Sequence, residues 1–460
     1  MVTEGYGDVF ALVSPSGIQL FVGEEKIAKQ ILSRSTDFPK PIEVIKIIDV
    51  FGRSLASVEG EDWKRHRKST AAAFSDKVNE TVWLQSCDQA SSSLHHFVCQ
   101  EKVSNTQKEM TQLSFAVLMK ACMGVDHNNK DDLNIQIANR HLSTILRIMT
   151  ISDTSKLKML SFFRPPFRPK TPNKFALSLQ SLGSFLDNLI DNRKSHPLPS
   201  NDLLSSLLTS SNREILSDEE IRGNLFLFVF AGHETTANTL VYIIYLLAIF
   251  PEWQAWVTQE LDEIMSDITP TTVPTIQEIF PRTVRLKAIM YETLRLYGPV
   301  VKVLRKTPNQ PQTVVQSDDS RLLIPANVQI NILPPAVHAR TADWGPDSLS
   351  WIPGRWLCSS QNANNQSGTR QESIDSKKID SLLAWGEGSR GCPGKRFSQL
   401  EIIAVLVTLL RNHYVQLAPR AGFSVEQARV EALKVIMQSK SGLTLHIERP
   451  ELIQVQWTRR

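Results

Sequence analysis

Apolar and polar positions change period several times along this chain. From Val9 to Val22 apolar residues flank Ser14, Pro15, Ser16 and Gly17, a turn cluster, and predict a hairpin. Glu24–Ser33 predicts a short helix and Asp37–Gly60 an irregular stretch. Trp63–Phe74 predicts another helix, with Glu61 and Asp62 suited to its N-terminal end. Helical periodicity then covers Ser86–Met123, Leu133–Ile151, Lys174–Arg193 and Asp202–Leu208. Phe162–Pro172 holds four prolines and predicts a loop. A long helix starts at Asp218 and Pro251 ends it; Glu252–Met265 begins the next. Val284–Tyr297 is a helix stopped by Gly298 and Pro299. Val300–Leu333 alternates as short strands, Ser359–Ser376 is a polar loop, Gly394–Tyr414 a long apolar-faced helix, and Leu433–Ile447 a closing strand pair. The expected class is mainly α with a minor β component.

Composition narrows the functional classes. A net charge of +4 over 460 residues, with no block of like charges, speaks against a nucleic-acid arm. Five cysteines, odd in number and far apart, do not form a disulfide framework and point to a reducing compartment. Four of them read as small buried hydrophobes. Met1–Asp8 is polar and has no secretory apolar core. The longest apolar run, Leu225–Phe250, is interrupted by Gly232, His233, Glu234, Thr235, Thr236 and Asn238. Charge at its centre is costly in a bilayer, so it reads as a buried helix with a functional interruption.

Cys392 stands apart because of its neighbours, Trp385-Gly386-Glu387-Gly388-Ser389-Arg390-Gly391-Cys392-Pro393-Gly394. It lies in a glycine-rich loop just before a helix, whose N-terminus favours a thiolate. Glycines let backbone approach a flat ligand, and Arg390 suits an anionic group on it. Elsewhere Glu292 and Arg295 share a helical face. His233-Glu234 opens like a zinc helix, but Ala237 stands where a second histidine is needed.

The cysteine segment resembles the haem-binding loop of the cytochrome P450 family, F-x-x-G-x-R-x-C-x-G, with Trp385 in place of the first Phe. An aromatic plate is kept there, although the iron potential is open to change. Four further segments match in family order. Trp63 and Arg67 fit W-x-x-x-R, which holds a haem propionate. Ala231-Gly232-His233-Glu234-Thr235 fits the oxygen-activating helix. Glu292 and Arg295 fit E-x-x-R, and Pro353-Gly354-Arg355 supplies its later arginine.

The resemblance implies haem b with Cys392 as axial ligand, buried between the oxygen-activating helix and the cysteine loop. Trp63, Arg67, Arg305, Trp385, Arg390 and Gly394 are then cofactor-binding residues, and Gly232 leaves room for dioxygen. Thr235 steadies a water or oxygen by its hydroxyl, and Glu234 relays protons. Glu292, Arg295 and Arg355 lock the proximal core. Motifs spread from Trp63 to Cys392 must serve one site, so residues 1–460 read as one domain.

The implied activity is a monooxygenase that inserts one atom of dioxygen into an apolar organic substrate. Its electrons come from NADPH through a separate flavoprotein reductase, which could dock on Arg65, Lys68 and Lys395. The wording Cys392-Pro393-Gly394-Lys395-Arg396-Phe397-Ser398 is similar to filamentous-fungal members, which points to secondary metabolism. Substrate contacts are expected from Asp37–Gly60, the loop after Ile151, Phe228, Ala231 and Val300–Val303. Two alternatives stay open: a reductase-independent isomerase or dehydratase on the same fold, and a non-catalytic haem-binding homologue. The chain begins almost at its first hairpin, without the family's anchor and first helix. Its expected place is therefore the cytosolic face of the endoplasmic reticulum by resemblance, or the cytoplasm if it is anchorless.

Overall fold

The computed structural model describes residues 7–15, 17–71, 74–125, 142, 174–197, 202–212, 215–267, 275–360, 371–420 and 422–460. The predicted helix Leu133–Ile151, Leu142 excepted, and the loop Phe162–Pro172 lie outside them. The chain opens with β1 (Val9–Ser14), β2 (Gly17–Val22) and α1 (Glu25–Ser33). The principal helices that follow are α2 (Gly60–Ala71), α3 (Asp76–Val98), α4 (Thr106–Met123), α5 (Lys174–Ser195), α6 (Leu203–Asn212), α7 (Asp218–Ile249), α8 (Pro251–Ser266) and α9 (Val284–Tyr297). Then come β3 (Val303–Lys306), β4 (Gln312–Val315), β5 (Arg321–Ile324), β6 (Gln329–Ile332), β7 (Leu357–Ser360) and β8 (Gln371–Ile374). The C-terminal part is α10 (Lys395–Leu410), β9 (His413–Leu417), α11 (Val425–Met437), β10 (Lys440–Ser441), β11 (Leu445–His446) and β12 (Val455–Arg459).

Helix dominates, as the periodicity predicts. The one sheet with more than two strands among the described residues has the order β1-β2-β6-β3. β6 runs parallel to β2 and antiparallel to β3, which leaves β3 at an edge with Arg305 opposite Ile330.

Four sequence expectations need correction. Ser86–Met123 is two helices, because Asn105 caps α4 by accepting a hydrogen bond from the Lys108 N–H at 3.0 Å. Gly394–Tyr414 is shorter as a helix, since from His413 the chain pairs with β12 as a strand. Leu433–Ile447 is half helix: Ser424 and Gln427 form a capping box that starts α11, and only β10–β11 remains as a strand pair. The polar stretch from Ser359 begins and ends in the antiparallel pair β7–β8. The cysteine reading changes too. All five are free, but Cys122 alone is buried, while Cys99 and Cys358 are exposed on the surface.

The central helix α7 starts with a capping box between Ser217 and Glu220 and three acidic residues in its first turn. From Thr236 to Ile249 every residue is buried, as expected of a helix enclosed by protein on all sides. It packs on α4, α9, α10 and β9. No single helix among the described residues is long and apolar enough to cross a membrane.

A buried ionic lock sits at the C-terminal end of α9. Arg295 and Glu292 are 0% exposed and joined at 2.8 and 2.9 Å. All five Arg295 donor positions are used: two on Glu292, the others on the carbonyls of His338, Ser348 and Ser350. Glu292 also accepts from Arg355 Nε, the Trp356 indole and the Ile352 N–H. His338 extends the lock. Burial pushes its pKa down to about 3, so the ring is neutral. Nδ1 donates to the Arg295 carbonyl at 3.1 Å, and Nε2 accepts the Leu383 N–H at 3.0 Å.

Removing one member of such a cluster leaves an uncompensated charge in the core. Glu292→Ala is expected to destabilise the protein by about 3–5 kcal/mol. Denaturant midpoints of the two proteins check this, and a loss below about 1 kcal/mol would show that the cluster is not the keystone described.

Candidate active site

A cavity of about 520 Å³ lies between α7 and the loop that precedes α10. Trp63, Arg67, Gly232, Thr235, Arg305, Trp385, Arg390, Cys392 and Gly394 all reach its wall. These residues come from four separate parts of the chain. Two of the sequence candidates behave differently. Glu234 is not on the wall: its carboxylate turns to the β10–β11 connection and accepts the Thr444 hydroxyl at 2.8 Å. Burial raises its pKa, with the Thr444 bond opposing. Glu292, Arg295 and Arg355 form the separate lock described above.

Cys392 sits at a tight turn. Its N–H donates to the Trp385 carbonyl at 2.7 Å, and the Gly391 N–H to that of Gly388 at 3.1 Å. Gly388 has φ +67°, and a Cβ there would lie 3.0 Å from the Leu32 carbonyl, so only glycine fits. The thiol is open to the cavity yet enclosed by protein. Burial pushes its pKa up, opposed by the Gly394 N–H, Arg67 and Lys395. A coordinated metal cation reverses that balance, because a ligating thiol is deprotonated outright.

The Trp385 indole donates to Ser398 Oγ at 3.0 Å, one turn into α10, which fixes the plate beside the thiol. On the opposite wall the Thr235 hydroxyl donates back to the Ala231 carbonyl at 3.0 Å. Gly232 has a second reason to be small. A Cβ there would lie 2.9 Å from Leu118 Cδ1, so it also admits α4 against α7. His233 faces away into the core. Its ring packs edge-on to Phe115, and burial lowers its pKa to about 4. No group of three or more His, Cys, Asp or Glu side chains that could hold a metal ion occurs among the described residues.

One end of the cavity gathers positive charge. The Arg390 guanidinium stacks 3.4 Å over the Trp63 ring and pairs with Glu59. Lys40 donates to the Leu55 and Ala56 carbonyls at 3.0 and 2.7 Å and lies 3.9 Å from Glu59. Burial lowers Lys40 to about 8 and Arg305 to about 10. Arg305 Nε is buried without a hydrogen-bond partner. Four cations (Lys40, Arg67, Arg305 and Arg390) therefore share one carboxylate. Such an excess calls for an anion. A flat apolar body with two carboxylates at one edge, and a thiol facing its centre, is what these donors fit.

Lys40 and Glu59 were not singled out in the sequence, because no motif marks them in the irregular stretch before α2. The docking expectation for Arg65 is corrected: it is partly buried and paired with Asp62 and Glu220 at 2.8 and 2.7 Å. Lys68 and Lys395 are exposed. Of the expected substrate contacts, Phe228, Ala231, Val300, Lys302 and Val303 reach the cavity.

A family model described as Cytochrome P450 matches residues 1–444. The chain belongs to the cytochrome P450 family. A cytochrome P450 monooxygenase of Arthrobotrys oligospora is 26% identical over 97% of this chain and 83% of its own length. Cytochrome P450 monooxygenase 124 of Postia placenta is 26% identical over 96% of this chain and 84% of its own. A Leptosphaeria maculans relative, the phomenoic acid biosynthesis cluster cytochrome P450 monooxygenase, is 24% identical over 93% and 78%. The protein is thus an oxidoreductase of the P450 monooxygenase class. Membership implies haem with thiolate ligation, use of oxygen and a redox partner.

The cation cluster has a measurable consequence. Arg305→Leu removes a buried cation from the cavity wall. Haem loss to an apomyoglobin acceptor is expected to be about tenfold faster or more, consistent with loss of a charged hydrogen bond. Unchanged release would place Arg305 outside the cofactor contacts.

Proposed function

We propose that the chain is a haem-thiolate monooxygenase in which Cys392 is the axial ligand and an apolar organic molecule is the substrate. The observation that carries it is the convergence on one cavity of the Cys392 thiol, the Thr235 hydroxyl and a cation cluster with a single carboxylate. One domain, residues 1–460, serves that site. Haem, when bound, supplies the oxidising chemistry, in which one oxygen atom enters substrate and the other leaves as water, using two electrons.

The chain's own residues do the rest. Arg67 and Arg305 hold the propionates, with Arg390 and Lys40 alongside. Trp385 shields the proximal side. Leu227, Phe228 and Val300 keep the distal side apolar and exclude water. Thr235 presents a hydroxyl on the distal wall for proton delivery. Glu234 stands behind it, bonded to Thr444, so its part in proton transfer requires its carboxylate to turn. Its raised pKa suits a group that gives and regains a proton.

Electrons come from an NADPH-dependent flavoprotein reductase, and Lys68 and Lys395 are the exposed cations of the earlier docking set. The cytosolic face of the endoplasmic reticulum and a place in secondary metabolism complete the reading. The first rests on family resemblance, the second on the relative named for phomenoic acid biosynthesis.

The reduced carbon-monoxide complex is expected to show the family's red-shifted Soret band. Cys392→Ala should abolish it; if the band survives in that variant, the ligand assignment is wrong. Thr235→Ala is expected to keep the band and raise peroxide released per oxygen consumed, measured with a flavoprotein reductase. Unchanged coupling would remove Thr235 from proton delivery.

A further inference from the structure

Five cations reach the cavity wall: Lys40, Arg67, Lys302, Arg305 and Arg390. Four have an evident use. Arg390 and Lys40 lie beside Glu59. Arg67 and Arg305 form no salt bridge among the described residues and match in number the two carboxylates of a haem edge. Lys302 remains. It is exposed, and no carboxylate pairs with it among the described residues.

Lys302 lies in the short link between α9 and β3, on the same segment as Val300. That link is held from both sides. The buried lock fixes the end of α9, and the Leu445 N–H of β11 donates to the Pro299 carbonyl at 2.8 Å. Much of the rest of the cavity wall is apolar, with Leu227, Phe228, Ala231 and Val300 among its residues. Two of the threonines on that wall use their hydroxyls on helix carbonyls, at 3.0 Å for Thr235 and 2.9 Å for Thr239.

We infer that Lys302 is a specificity-determining residue, which binds the carboxylate of an otherwise apolar substrate. The substrate class is then an amphiphilic monocarboxylic acid, whose apolar part lies along the wall of α7. This inference rests on the monooxygenase reading and narrows it. An ammonium at an apolar wall rewards a carboxylate twice: it makes a charge-assisted hydrogen bond, and low polarity nearby strengthens the attraction. It penalises neutral analogues less than it rewards acids, because an exposed lysine keeps water when no acid is bound.

The test is equilibrium binding to the haem-loaded protein, followed through its Soret absorption. The probes are dodecanoate, hexadecanoate and 1-adamantanecarboxylate, each beside its methyl ester. At least one acid is expected to bind about tenfold or more tightly than its ester, the usual size of a charged hydrogen bond. Lys302→Gln is expected to erase that preference while leaving ester binding within about twofold. Lys302→Arg keeps the preference, and Lys302→Glu inverts it. If no acid outbinds its ester, or if Lys302→Gln weakens acid and ester alike, the inference is overturned and Lys302 is a solvated surface lysine. Failure of the underlying reading looks different: the parent protein then lacks the carbon-monoxide Soret band before any ligand is added.

Discussion

Glu292 takes five hydrogen bonds in a place that water does not reach, and much of the rest of the site hangs from them. A carboxylate and a guanidinium with no exposure are tolerable only when every lone pair and N–H is used. Here they are, and the partners are backbone carbonyls and side chains from three later segments. The cluster therefore fixes where the Ile352–Trp356 segment crosses α9. It also reaches the cysteine loop by two routes. His338 hands the position of Arg295 to Leu383 through its two ring nitrogens. Trp356 packs on Tyr291, which meets the Trp385 ring edge-on at 6.3 Å. The thiol's placement follows from an ionic cluster that never touches it.

The cavity's electrostatics follow a second constraint. An enclosed site cannot keep several like charges without compensation, and Glu59 supplies only part of it. Its carboxylate divides the cations into two kinds. Arg390 and Lys40 lie against it and pin the segment before α2 to the cysteine loop. Arg67 and Arg305 form no salt bridge among the described residues. The lowered values of Lys40 and Arg305 come chiefly from burial, with Arg390 adding repulsion to both. Bound carboxylates would oppose that lowering, since a nearby anion favours the charged form.

What could be read from sequence was what chemistry makes obligatory at fixed spacing. The convergence of Cys392, Trp63 and Arg67 on one cavity, and the pairing of Glu292 with Arg295 and Arg355, were legible because each motif needs a partner of one kind. Mainly helical class, the hairpin and α7 were legible from period alone. The failures have a common cause in information that is not local. Nothing around Glu234 announces Thr444, 210 residues later. Lys40, Glu59 and His338 act through partners brought near only by the fold. Element limits failed where a cap overrode periodicity, at Asn105 and at Ser424.

The same long-range bonds join the two halves of the distal wall. Glu234 accepts from Thr444, and Asn238, one turn further along α7, donates to the Leu445 carbonyl at 3.2 Å. The Leu445 N–H then donates to Pro299, at the start of the link that carries Val300 and Lys302. Thus the face that meets substrate is tied on one side to the buried lock and on the other to the helix that bears Thr235. A ligand that pushed on this link would act through Leu445 and Thr444 on the carboxylate of Glu234. Three hydrogen bonds therefore join Glu234, Asn238 and the link before β3 through Thr444 and Leu445.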